Sequence, residues 1–291
     1  MKFSLFTVMT PDTTPEQIVS YLKETGYDGV EWRFKATPDK LRKEDPSFWG
    51  NNLCTISPDI TDQEIDDLLL TTKNNGIEVV SVTPYLTAGD LEAAERVLEV
   101  AQRFGASTIR VGVPRYDRTE NYNDLFKGAV TYLKKAEQLC KKYNVKGLVE
   151  THHVTIAPSA SLAYRLVSHC NPNHIGVLYD PGNMVHEGYE NYRMGLELLG
   201  DYLAHVHVKN AFWQKKEEHA DGTVDWSVEW APVEKGIVDW KQVFTDLKAV
   251  GYDGYVGMED FSLAYGTKES IKHNIDTVKA ILAGLGVGEG V

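Results

Sequence analysis

Cysteine is scarce and unpatterned: Cys54, Cys140 and Cys170 are an odd number with no CxxC pair among them. That excludes a disulfide framework and a thiolate metal site, and it fits a reducing cytoplasm. Cys140 and Cys170 fall late in expected helices, as small buried hydrophobes do. No apolar run reaches the length needed to cross a bilayer. The opening MKFSLFTVMTPD has one lysine and no small-residue cleavage site before Pro11, so it reads as a first strand rather than a targeting segment. Positive charge is also short. Lys and Arg total 30 against 42 Asp and Glu, a formal net charge of −12, which argues against a surface that neutralises nucleic-acid phosphates. A local group of Arg and Lys can still hold one phosphate. No GxGxxG follows the first strand and no Pro/Ser-rich linker divides the chain, so residues 1–291 read as one domain.

What is present repeats: a helix, a Gly or Asn stop, then a short run rich in Val and Ile. Thr14-Pro15-Glu16-Gln17 writes one helix start and Thr61-Asp62-Gln63-Glu64 another, closed by Gly26 and Gly76. Further helices are expected over 90–104, 121–143, about 159–169, about 189–201, VDWKQVFTDLKAVG and about 267–284. With FSLFTV in front, eight strands alternate with eight helices. The fold class is therefore α/β, a (β/α)8 TIM barrel in a single domain. Two strand-to-helix connections are long, 34–60 after strand 2 and 211–237 after strand 7. Phe48, Trp49, Phe212, Trp213, Trp226 and Trp230 fall in them, which predicts ordered walls.

Side chains alternate along a strand. One parity is nearly all apolar, for example Val30 and Trp32, Ile109 and Val111, Val206 and Val208, with Thr151 among its few polar members. The other parity holds Glu31, Arg33, Ser81, Thr83, Arg110, Glu150, His152, Asp180, His205, His207, Lys209 and Glu259. This second set points into the barrel, and its members at strand ends stand at the C-terminal rim, where barrel enzymes keep their sites. KGLVETHH thus ends on Glu150 because that residue crowns its strand, and His152 is favoured over His153 as a pocket residue. Strands five to eight each offer one hard ligand: Glu150, Asp180, His207 and Glu259. Three carboxylates and an imidazole suit Mn, Mg or Co, admit Zn, and leave positions open for substrate oxygens.

LVETHH, VLYDPGN, HVHVKN and YVGMED, in that order, resemble the xylose-isomerase-like barrels, the sugar phosphate isomerase/epimerase superfamily. The segment GIVDWKQVFTDLKAVGYDGYVGMED is similar to its closing unit. The resemblance implies a divalent metal, commonly manganese, on Glu150, Asp180, His207 and Glu259, with Glu150 and Glu259 as the acid/base pair. It implies a small sugar-like substrate and a homodimer or homotetramer. The sequence departs from the pattern at Asn183, where many epimerases carry His, so ketose 3-epimerase specificity does not transfer directly.

On this reading the enzyme is a metal-dependent sugar isomerase or epimerase that removes a proton beside a carbonyl and returns one through an enediolate. His152, Asn183, Lys209, Glu31, Arg33 and Arg110 are the expected substrate-binding residues. Each has a plainer alternative: Lys209 and Arg110 neutralising acids, Glu31 and Arg33 pairing with each other, His152 bonded to a loop. His205 reads as support for a ligand, and His186 as a surface histidine. A lyase or dehydratase acting on a keto-sugar, keto-inositol or 3-keto-glycoside is the alternative chemistry. A nuclease is disfavoured by the charge and the sparse ligand set, and a non-catalytic sugar-binding barrel by the complete ligand set.

Overall fold

The computed structural model describes residues 1–286; residues 287–291, the end of the expected domain, lie outside the described residues. Helix starts fall where local chemistry puts them. In α1 (Pro15–Thr25) the Thr14 hydroxyl accepts from Gln17 N and the Gln17 side chain accepts from Thr14 N, and α2 (Asp62–Asn75) repeats the exchange between Thr61 and Glu64. Such a box satisfies amide groups that the first turn cannot pair, worth about 1 kcal/mol each. Both helices stop at a glycine in the left-handed region, Gly26 at φ 81° and Gly76 at φ 71°.

The barrel strands are β1 (Lys2–Phe6), β2 (Gly29–Phe34), β3 (Glu78–Pro84), β4 (Thr108–Arg110), β5 (Lys146–Glu150), β6 (Ile175–Tyr179) and β7 (Leu203–Val208). After an inserted hairpin, β8 (Asn210–Glu218) and β9 (Val224–Ala231), comes the last barrel strand, β10 (Tyr255–Met258). The closed order is β1-β10-β7-β6-β5-β4-β3-β2, parallel throughout. The apolar parity packs outward. Val30, Trp32, Ile109, Val149, Val177, Val206, Val208, Val256 and Met258 belong to one core with the buried faces of the surrounding helices. Helix α3 (Leu91–Phe104) supplies Val97, Leu98, Ala101 and Phe104 to it, at helical spacing. Each large side chain so buried contributes about 1.5–3 kcal/mol before conformational entropy is subtracted.

The remaining helices are α4 (Tyr122–Tyr143), α5 (Ala160–Val167), α6 (Pro181–Met184), α7 (Tyr192–Leu199), α8 (Trp240–Ala249) and α9 (Thr267–Gly286). Three details differ from expectation. Helix α5 ends before Cys170, which is nonetheless buried. A single extra turn, α6, follows β6 because Asp180 caps it and Pro181 starts it. The connection after the seventh strand is not a loop but the antiparallel hairpin β8–β9. No helix among the described residues is long and apolar enough to cross a membrane.

Candidate metal and substrate site

Glu150 ends β5, Asp180 follows β6, His207 lies in β7 and Glu259 follows β10. The four neighbour one another at the C-terminal rim because β5, β6, β7 and β10 are adjacent in the barrel. Their ligand atoms all lie within 4.8 Å of one another, and all four side chains are buried. Asn183 ties the acids together. Its Nδ2 donates to Asp180 Oδ2 at 2.9 Å and to Glu150 Oε1 at 3.3 Å, while Asp180 Oδ1 accepts from Asn183 N at 2.8 Å. The turn approaches β7 so closely that a Cβ on Gly182 would stand 2.7 Å from the Lys209 carbonyl oxygen. Only glycine fits there.

His207 is oriented from below. Its Nε2 donates to Glu31 Oε2 at 2.9 Å, and His205 Nε2 donates to Glu31 Oε1 at 2.9 Å. Ser4 Oγ donates to the same Oε1 at 2.7 Å. Burial opposes the Glu31 charge, but the two imidazoles outweigh it and hold its pKa well below the usual carboxylate range. The other ring nitrogen, His207 Nδ1, faces Glu259 Oε2 at 3.5 Å. His207 Nδ1 is buried without a hydrogen-bond partner, and Glu259 Oε2 meets only that ring and the Lys209 ammonium. Burial opposes a charge on His207, but Glu31 and Glu259 outweigh it and raise its pKa to about 10, so a cation bound here would displace a proton from Nδ1. That is the donor set a divalent cation needs: an imidazole fixed by an outer carboxylate, and three carboxylates converging on it. The residues fit such an ion.

Two cations already stand among the acids. Arg110 Nη1 pairs with Glu150 Oε2 at 2.6 Å, and its other nitrogens donate to the Pro84 carbonyl. Lys209 Nζ pairs with Asp180 Oδ2 at 2.9 Å and with Glu259 Oε2, and donates to Asn183 Oδ1 at 3.1 Å. Burial raises the pKa of Glu150, but Arg110 together with His152, Lys209 and His207 outweighs it and the net direction is down. The same contest at Glu259 is won by Lys209 and His207. At Asp180 burial wins, with Glu259 and Glu150 adding repulsion, and the pKa rises.

A cavity of about 600 Å³ opens above these groups. Glu150, Glu259, Asn183, Lys209, Arg110 and His152 line it, walled by Trp49, Tyr85, Trp230 and Phe261.

A family model for xylose isomerase-like TIM barrels matches residues 19–280. The chain belongs to that family. No curated protein matches it by sequence. Among solved structures, the xylose isomerase-like chain is similar to the IolI protein with a bound zinc atom, at 16% identity and TM-score 0.73 over 98% of this chain and 99% of that one. It is similar to 3-keto-D-glucoside 4-epimerase, YcjR, from E. coli, at 18% identity and TM-score 0.70 over 96% and 99%. It is also similar to the probable 3-DHS dehydratase AsbF from Bacillus anthracis, at 17% identity and TM-score 0.70 over 96% and 99%. At such identities the likeness establishes the fold.

Within this family member the expected residues divide. Glu31 and Arg33 do not line the cavity. Nor are they a pair: the Glu31 oxygens are engaged by Ser4, His205 and His207, and Arg33 Nη1 donates to Thr55 Oγ1. His152 and His153 both line the cavity, so the preference for one is corrected. His186 is not a free surface histidine. It stacks on His153 at 3.9 Å between ring centroids and lies 5.2 Å from Trp230. Lys35, Tyr85 and Phe261 were missed as wall residues. The signal was available, because each continues an inward parity two residues beyond Arg33, Thr83 and Glu259.

Proposed function

We propose that the protein is a divalent-metal-dependent isomerase or epimerase of a sugar-like keto/hydroxy substrate, with manganese the first cation to test. The observation that carries this reading is two buried glutamates, Glu150 and Glu259, on one ligand cluster, each beside its own cation. Glu150, Asp180, His207 and Glu259 would hold a divalent cation, whose chemistry there would be Lewis acidity toward a substrate carbonyl. One glutamate takes the α-proton. The other delivers a proton to the neighbouring carbon or to the opposite face of the same carbon. Arg110 and Lys209 favour the ionised carboxylates, so a base is ready at neutral pH. The walls of Trp49, Tyr85, Trp230 and Phe261 exclude water and offer flat faces to a sugar ring. His152 at the mouth meets a substrate hydroxyl.

Elimination is the second reading, favoured by the likeness to a probable dehydratase. It needs only that the enediolate expel a β-substituent instead of regaining a proton.

The test is incubation of manganese-loaded protein with a panel of keto-sugars in heavy water. Deuterium should enter the carbon beside the carbonyl, stop on chelation and return with manganese or cobalt. Glu150→Gln should remain folded and exchange at least 100-fold more slowly, the range of a lost general base (~10²–10⁴-fold). Unsaturated product would move the assignment to a lyase. Absence of exchange with every sugar would overturn both readings.

A further inference from the structure

Across the barrel from Asp180, at the end of β2, two cations have no acid to answer them. Arg33 is 1% exposed, yet no carboxylate lies within 4.0 Å of its guanidinium among the described residues. Nη1 donates to Thr55 Oγ1, and Nε is buried without a partner. Lys35, two residues on, lines the cavity mouth and likewise has no ion pair among the described residues. Both converge on Tyr85, whose ring centroid is 5.4 Å from the Arg33 guanidinium carbon and 5.3 Å from Lys35 Nζ. Partial burial, and then the charge of Arg33, hold the Lys35 pKa below its ordinary value.

The other cavity cations are matched, Arg110 to Glu150 and Lys209 to Asp180 and Glu259. Acids are plentiful in this chain, with 42 against 30 basic residues, and still none among the described residues lies within 4.0 Å of the Arg33 or Lys35 nitrogens. A cation over an aromatic face recovers only part of the hydration it loses on burial. Complete burial of a cation costs more than one such contact returns. Tyr85 and Thr55 therefore do not balance Arg33.

We propose that the β2 wall is an anion subsite: the substrate carries a carboxylate or phosphate group that Lys35 contacts directly and Arg33 stabilises from behind Tyr85. The substrate class is then an acid sugar or a sugar phosphate, not a neutral ketose. This rests on the sugar-processing reading above and deepens it. Arg33 is a positioning charge here, and Lys35 the contact.

The experiment is calorimetric titration of the manganese-loaded protein with D-glucose, D-glucuronate and D-glucose 6-phosphate. One charged sugar should bind at least about tenfold more tightly than glucose, equivalent to about 1.4 kcal/mol. Which one it is separates carboxylate from phosphate. Lys35→Met, a change at an exposed side chain, should remove most of that gain, the charged sugar then binding within about twofold of glucose, with manganese binding retained. Arg33→Met should remove it too where circular dichroism shows a native fold, and Lys35→Met decides alone where it does not. Equal titrations for the three sugars, flat or not, overturn the subsite, as does a gain that survives Lys35→Met. If deuterium exchange on keto-sugars persists in that case, the isomerase reading stands without the subsite. If exchange is absent throughout, that reading is what has failed.

Discussion

His207 and Glu31 share one hydrogen bond, Nε2 to Oε2 at 2.9 Å, and it decides which imidazole nitrogen is left for the acid cluster. Because Glu31 accepts at both oxygens from imidazoles, the carboxylate fixes the orientation of each ring and which nitrogen a cation would find.

Glu31→Gln keeps the shape and removes that control. The amide has one accepting oxygen, so an NH2 group must face an imidazole N–H, and one ring has to turn or change tautomer. Manganese affinity should fall about 10–100-fold, the usual effect of losing an outer-shell partner. Calorimetric titration checks it. An affinity within twofold of the parent would mean that the Glu31 contact does not set the ligand.

Gly257 is glycine because Glu31 fills the space a side chain would take. A Cβ there would stand 2.1 Å from Glu31 Oε1 and 3.0 Å from His207 Cδ2. Gly257→Ala should cost about 1–3 kcal/mol in urea unfolding, as overpacking does, and weaken manganese binding through the same carboxylate. Combined with Glu31→Gln the losses should be less than additive, since both act on one contact.

Much of this was legible in the sequence because alternation is a local property. Val149-Glu150 and Met258-Glu259 each pair an outward apolar side chain with an inward acid, and that parity is enough to gather four ligands at one rim. What Glu31 and Arg33 bind was not legible. Their partners, His205, His207 and Thr55, are set by barrel closure and by a long loop, neither of which leaves a periodic trace. The β8–β9 hairpin escaped for another reason. Gln214 to Glu218 is exposed on both faces, so the strand has no alternating hydrophobicity and reads as a charged loop.

Loading the metal should stabilise the protein. At about 100 times its dissociation constant an ion contributes about 2.7 kcal/mol, which raises the melting temperature by roughly 5–10 °C for a chain of this size. Asp180→Asn is the discriminating variant. Asparagine caps a helix as well as aspartate does, so α6 should keep its start while the cluster loses a charged donor. Differential scanning calorimetry should find most of the manganese shift gone, read as the difference between the loaded and metal-free melting temperatures of the variant itself, because losing the buried Lys209 pair lowers the metal-free value too. A full shift in the variant would remove Asp180 from the ligand set.

The histidine stack at the cavity mouth should make the protein sensitive to acid. Burial, and then the charges of His152, His186 and Lys209, push the His153 pKa down to about 3. Burial, and then Lys209 and His152, bring His186 to about 4. Unfolded, each returns to 6.5. Below that value the unfolded chain binds protons that the folded stack refuses, so their contribution is complete above pH 6.5 and declines as pH falls toward 4 and then 3. His186→Phe keeps a ring against His153 and Trp230 but cannot be protonated. Between pH 7 and pH 5 the variant should lose less stability than the parent, measured as the difference in urea midpoints. Its relief should be absent at pH 8, where neither ring is charged in either state. Parallel curves for the two proteins across that range would show that His186 is not held neutral by the fold.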